Sequence, residues 1–198
     1  FLILLFLCLF FIPQLPVNAI NVSQLQGKIV VLDPGHGGYD PGAVRGDVYE
    51  KHLNLQIAMK LKKALEEKGA TVVLTRSGDY NLAIVGLHNR EARRFDLNER
   101  LVIANQSNAC LFVSIHVNCM RSRSYAGAEV FYYQKSESGK LLADCIQSEL
   151  RTIPGIQKRT AKTSNYYVLR NATIPASLVE VGYLSNPDER KNILKGEY

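Results

Sequence analysis

His36, Glu50, His116 and Glu180 are spaced so that one fold could bring two imidazoles and two carboxylates together. His36 lies in Val31-Leu32-Asp33-Pro34-Gly35-His36-Gly37-Gly38, where an apolar run gives way to glycines, and Glu50 opens a helical pattern soon after. His116 closes Leu111-Phe112-Val113-Ser114-Ile115-His116, and Glu180 lies inside Leu178-Val179-Glu180-Val181-Gly182. If these runs are neighbouring parallel strands, all four side chains converge at one edge of a sheet. Two imidazoles and one carboxylate suit a zinc ion with an open fourth position, and the spare carboxylate suits a general base. That is the donor set of a metal-dependent hydrolase.

Each residue also has a plainer reading. A histidine ending an apolar strand is more often a hydrogen-bonded core residue, and an acid in a first helical turn suits the helix dipole without further purpose. Glu50, however, precedes Leu53 by three positions and so shares the inward stripe of its helix. Glu180 is the hardest to dismiss, because a carboxylate inside an apolar strand is costly to bury without a cation or donors. Cys119 is an alternative soft ligand close to His116, although two imidazoles and Glu50 already complete a catalytic zinc site. The glycines around His36 could serve a turn or a phosphate loop, but neither needs the histidine, and the GxGxxG and Walker spacings are absent. His52 and His88 have no strand-end placement and are expected at the surface.

The elements that must position these residues follow from periodicity. Lys28 to Asp33 reads as a buried strand, and Tyr49 to Lys68 as a helix with Leu53, Ile57, Leu61 and Leu65 on one stripe and Gly69 as its stop. Ala70 to Thr75 reads as a strand and Arg90 to Gln106 as a helix. Ala109 to His116 and Gly127 to Tyr133 are further strands, followed by a helix over Ser138 to Arg151. Tyr166 to Leu169 and Ala176 to Val181 complete the strands. This alternation predicts a single α/β domain, with a mainly parallel twisted sheet of about six strands and helices on both sides. In such sheets, sites gather beyond the carboxyl ends of the strands. Between them, Ser77 to Asn89 is loop-like yet carries Leu82, Ile84, Val85 and Leu87, which either wall a cleft or pack onto the domain's outer face.

The 198 residues suffice for one substantial domain. Phe1 to Ala19 is uncharged and rich in Leu and Phe, which suits a signal peptide or a membrane anchor (residues 1–19). A polar linker (20–27) leads to the domain proper (28–198). A net charge of +6 on an exported chain favours anionic surfaces such as cell-wall polymers or phospholipid headgroups. Nucleic acid is disfavoured, because Lys and Arg are scattered singly without aromatic interleaving. Cys110, Cys119 and Cys145 are too few for a disulfide framework, and Cys110 is expected as a small core residue.

Taken together, Val31 to Gly38, Glu50 with Asn54, Ser114-Ile115-His116-Val117-Asn118 and Glu180-Val181-Gly182-Tyr183-Leu184-Ser185-Asn186 resemble the zinc-dependent N-acetylmuramoyl-L-alanine amidases. Leu97-Asn98-Glu99-Arg100, with Ala104-Asn105, resembles that family's second helix. The resemblance runs from about Lys28 to the end. It implies zinc held by His36, Glu50 and His116, with Glu180 as catalytic carboxylate and peptidoglycan as the substrate. Asn118 is expected either as a substrate contact or as support for a ligand. A narrower resemblance is to exported amidases of spore-formers that act on cortex, which implies an extracytoplasmic place in the cell wall or spore cortex. Family members carry a full C-terminal helix after the last strand, so the one ending this chain is expected to be cut short. The rival functions are another zinc amide hydrolase, such as a peptidase or deacetylase, and a non-catalytic peptidoglycan-binding scaffold.

Overall fold

A computed structural model describes residues 25–195. The expected signal or anchor at residues 1–19 lies outside the described residues, as does most of the linker. Among the described residues, no helix is long and apolar enough to cross a membrane.

The chain runs β1 (Ile29–Pro34), the short hairpin strands β2 (Val44–Arg45) and β3 (Val48–Tyr49), α1 (Glu50–Glu67), β4 (Thr71–Leu74) and α2 (Asn89–Gln106). It continues through β5 (Leu111–Asn118), β6 (Glu129–Tyr132), α3 (Glu137–Leu150), β7 (Lys162–Thr163), α4 (Tyr167–Arg170), β8 (Ala176–Tyr183) and α5 (Pro187–Lys195). Six strands form one sheet in the order β4-β1-β5-β8-β6-β7. All neighbouring pairs are parallel except β6 with β8. The expected architecture is therefore present. β1, β5 and β8 are central and read as near-continuous apolar runs because helices cover both of their faces.

Alternation along the strands divides the core in two. Val30, Leu32, Val113, Ile115 and Val179 pack with Ala58 of α1 and Ala143 of α3 on one face. Val31, Phe112 and Leu178 pack with Leu101 and Ala104 of α2 on the other. Burying a Val or Leu side chain contributes about 1.5–3 kcal/mol each, so the two layers together fix the strand register firmly. Helix α1 stops where Gly69 takes φ +87°, a conformation without penalty for glycine. Helix α5 seats Ile193 beside Leu53, Val117 and Leu184, under the end of β5.

Two expectations from periodicity fail. Tyr166 to Leu169 is not a strand: a single helical turn spans Tyr167–Arg170, and β7 is the preceding Lys162–Thr163. Buried Val168 and Leu169 meet the face occupied by α2, and four residues with two apolar side chains fit either period. Cys110 is exposed rather than buried, because β5 begins one residue later and its thiol only reaches Ile29 O, at 3.2 Å.

Candidate metal and catalytic site

The three expected ligands come from three different elements. His36 follows β1 directly, His116 lies near the end of β5, and Glu50 is the first residue of α1. One ligand atom from each lies within 4.8 Å of the other two. Glu50 Oε1 is the hub, 3.1 Å from His36 Nε2 and 3.0 Å from His116 Nδ1. Donors around a tetrahedral ion with arms of about 2.0–2.1 Å stand roughly 3.3 Å apart, so these separations fit zinc with little movement.

The turn carrying His36 is unusual backbone. His36 itself has φ +63°, a left-handed conformation that non-glycine residues rarely adopt. A Cβ on Gly35 would lie 2.1 Å from the His116 ring, so only glycine lets the two imidazoles approach. Gly37 has φ +128°, and a Cβ there would fall 2.3 Å from Tyr80 O. The rings of His36 and His116 meet edge to face, with centroids 4.9 Å apart.

Two buried arginines hold this turn in place. Arg100 donates to Pro34 O at 2.9 Å and His36 O at 2.8 Å. Arg76 donates to Pro34 O at 2.8 Å and Gly35 O at 2.9 Å, and to Lys51 O at the start of α1 at 2.8 Å. Asn54 adds a donor to Gly35 O at 3.1 Å and one to Glu50 Oε1 at 3.3 Å. The counter-charge is Asp33, which accepts from Arg100 at 2.7 Å and from the hydroxyls of Thr75 and Ser114 at 2.6 Å. Burial alone would raise the Asp33 carboxyl, but the Arg100 charge and these donors hold it below its ordinary range.

The electrostatics favour a cation among the ligands. Burial would lower the His36 imidazole, yet the hydrogen bonds it donates to the Asp40 and Glu50 carboxylates, with their charges, outweigh it and push the pKa up to about 9. Asp40 Oδ2 sits 2.8 Å from His36 Nδ1, which leaves Nε2 free to face Glu50. Burial likewise raises Glu50, but His116 and His36 outweigh it and hold this carboxyl well below its usual range. The donor set therefore fits a divalent metal.

Glu180 has the opposite environment. It is the direct register partner of His116 in the parallel β5–β8 pair and of Glu129 in the antiparallel β6–β8 pair. It is 8% exposed, and its Oε2 has no hydrogen-bond partner. Burial first of all, with Glu50 and Glu129 nearby, raises its pKa to about 7 despite the two histidines. Two carboxylates with their pKa values driven apart is the pattern of a ligand and a proton carrier.

Both lie on a cleft of about 500 Å³ whose walls include Asp40, Arg93, Asn118, Cys119, Asn165 and Tyr166. Asn118 borders the cleft, with its side-chain oxygen accepting from Cys119 N at 2.7 Å. Cys119 borders the cleft but is not among the grouped ligand atoms. His52 and His88 are exposed. The Ser77–Asn89 segment does not wall the cleft. Ile84 and Leu87 border a separate groove, Val85 is fully exposed, and Leu82 N is held by Asp96 at 2.8 Å. The loop braces the glycine turn from behind, through Tyr80 and Asn81.

Asp33, Asp40, Arg76 and Arg100 escaped the sequence reading. Asp33 and Arg100 carried the signal that singled out Glu180, a charge set among apolar residues: Asp33 ends Val30-Val31-Leu32, and Arg100 neighbours Leu97, Leu101 and Ala104 on the buried side of α2.

Comparison with known proteins finds similarity in both sequence and fold. Residues 30–198 match the family described as N-acetylmuramoyl-L-alanine amidase. The chain is 40% identical over 176 residues to the germination-specific N-acetylmuramoyl-L-alanine amidase of Bacillus subtilis, covering 88% of this chain and 74% of that protein. It is 34% identical over 179 residues to the probable cell wall amidase LytH of Staphylococcus aureus, covering 89% of this chain and 55% of that one. Among solved structures, the CwlD amidase of Clostridioides difficile in complex with the GerS lipoprotein superposes with a TM-score of 0.80 at 38% identity, over 84% of this chain and 88% of that one. The amidase AmiC2 of Nostoc punctiforme gives 0.71 at 35%, over 84% and 86%.

Proposed function

The chain belongs to the N-acetylmuramoyl-L-alanine amidase family, and from that premise we propose that it cuts the bond between N-acetylmuramic acid and L-alanine in peptidoglycan with a zinc ion held by His36, Glu50 and His116. The observation that carries this reading is the convergence of three ligand atoms beside an unpartnered, buried carboxylate oxygen of Glu180. Zinc bound there would supply a Lewis acid that acidifies water and polarises the scissile carbonyl.

The remaining steps belong to the chain's own residues. Glu180, raised toward neutrality, takes a proton from the attacking water and returns it to the alanine nitrogen as that bond breaks. Asp40 orients His36 through Nδ1. The two arginines hold the turn so that the ligand geometry exists before substrate arrives. Asn118 and Tyr166, on the cleft wall, contact the substrate.

The setting is outside the cytoplasm, in cell-wall or spore-cortex remodelling. The names of the Bacillus subtilis and Staphylococcus aureus relatives support it, as does the uncharged run at residues 1–19, read as an export signal or membrane anchor ahead of a catalytic domain from Lys28. A protein partner has a precedent in the lipoprotein bound to the Clostridioides difficile amidase. The test is mass spectrometry of digested peptidoglycan, with and without a chelator. Free stem peptides that disappear with the metal support the reading. Free acetate would instead mean a deacetylase, and unchanged peptidoglycan a scaffold.

A further inference from the structure

The strand that delivers His116 runs on into a second, smaller concavity. Asn118 and Cys119 border the catalytic cleft, while the next two residues, Met120 and Arg121, border a cavity of about 230 Å³. The same division recurs along β2, where Ala43 just before the strand borders the cleft and Arg45 at its end borders the smaller cavity. A chain spans at most about 3.6 Å per residue, so along either connection the backbones that line the two volumes are no more than about 7 Å apart.

Arg45, Arg121, Arg123 and Arg190 line this cavity, beside Ser185 and Pro187. Among the described residues, none of the four guanidiniums forms an ion pair within 4.0 Å. Two of them donate to backbone carbonyls: Arg190 to Leu184 O at 2.8 Å and Arg45 to Val44 O at 3.3 Å. The nearby Glu189 is committed to Gly127 N and Tyr183 N. Helix α5 starts here, but the amides of Asp188 and Glu189 are already taken by Asn186 Oδ1, so any anion is drawn by the guanidiniums. Arg76 and Arg100 differ, since their donors are spent on internal acceptors. Four like charges around one small volume hold a positive potential that planar carboxylates match in shape and sign.

We propose, resting on the amidase reading above, that this cavity is the subsite for the free carboxylates of the stem peptide. The scissile bond joins a sugar, neutral once its lactyl carboxyl is amidated, to an acidic peptide, and only the peptide side offers carboxylates within a residue or two of the reacting carbon. That reach matches the short path from cleft to cavity. Another basic group, Arg90, Arg93, Arg94 and Arg170, borders a more open groove, and its Arg170 donates to Asn165 Oδ1.

The experiment compares kcat/KM on soluble disaccharide–peptides carrying free stem carboxylates with the same compounds carboxamidated, for the zinc-loaded wild type and for Arg121→Gln/Arg123→Gln. Both positions are exposed, and an unchanged melting temperature establishes that the variant folds. Wild type should prefer the free acid by about tenfold or more, mainly through KM and less so at high salt. The double variant should lose that preference, and Arg121→Glu/Arg123→Glu should reverse it. An equal preference in wild type and double variant overturns the subsite. So does a wild type indifferent to amidation but inhibited by a phosphate-rich wall polymer, which would assign the arginines to phosphate. No peptide release from either substrate overturns the amidase reading, and the subsite with it.

Discussion

Asp40 and Glu50 grip opposite nitrogens of one imidazole: Asp40 Oδ2 lies 2.8 Å from Nδ1 of His36, and Glu50 Oε1 lies 3.1 Å from Nε2. The first contact fixes which nitrogen is left for a metal, and the second brings the next ligand to it. Removing Asp40 leaves all three ligands in place but frees the ring to turn. Asp40→Ala should therefore weaken zinc binding by about 10- to 100-fold without unfolding the protein, as measured by competition with a chelator. Unaltered affinity would show that the arginine-held turn orients His36 by itself.

Glu180 and Glu50 should respond differently to the same conservative change. Glu180→Gln keeps the shape but cannot carry a proton, so zinc content and fold should persist while turnover falls about 10²- to 10⁴-fold. Glu50→Gln should lose zinc first and activity as a consequence. Zinc stoichiometry and amide hydrolysis measured side by side decide it; the reverse pattern would mean the two carboxylates have exchanged roles.

Gly35 supports the site by having no side chain. With a Cβ only 2.1 Å from the His116 imidazole, Gly35→Ala must push that ring aside. Zinc occupancy should fall sharply while the far-ultraviolet circular dichroism stays native, since the clash falls on a side chain. Retained zinc would show that the turn can shift as a unit.

The Asp33–Arg100 pair should be visible in stability. Arg100 is 1% exposed, and its loss strands a buried carboxylate, so Arg100→Met should cost about 3–5 kcal/mol in chemical denaturation. The pH dependence follows from the depressed Asp33 carboxyl. Its contribution is fully present above the ordinary aspartate value of 3.8 and is lost as pH falls through the lower folded value. Asp33→Asn should accordingly be less stable than wild type near neutrality and lose less stability than wild type on acidification. Parallel acid limbs for the two proteins would remove Asp33 from the account.

Replacing Ile84 and Val85 with Ser should leave both kcat/KM and the melting temperature almost unchanged, within about 0.5 kcal/mol in stability. Both side chains are exposed and neither borders the cleft. A marked rise in KM would restore the segment as a substrate wall.

Much of this protein is legible in its residues. The apolar runs of β1, β5 and β8 and the stripe of α1 declare themselves because burial on both faces of a parallel sheet, or on one face of a helix, imposes a pattern that local sequence must carry. His36, Glu50, His116 and Glu180 are legible for a related reason: a polar residue ending or interrupting such a run needs an explanation, and strand ends share an edge. What only the tertiary structure decided is how those side chains are held. Arg76 reaches carbonyls 41 and 42 positions away, and Arg100 reaches Asp33 across 67. No local period encodes such contacts, since a long side chain can satisfy acceptors from any element that happens to pack nearby. The short helix at Tyr167–Arg170 and the outward turn of Ile84 and Val85 were settled the same way. In segments that short, propensity is weak, and packing against α2 and the glycine turn determines the outcome.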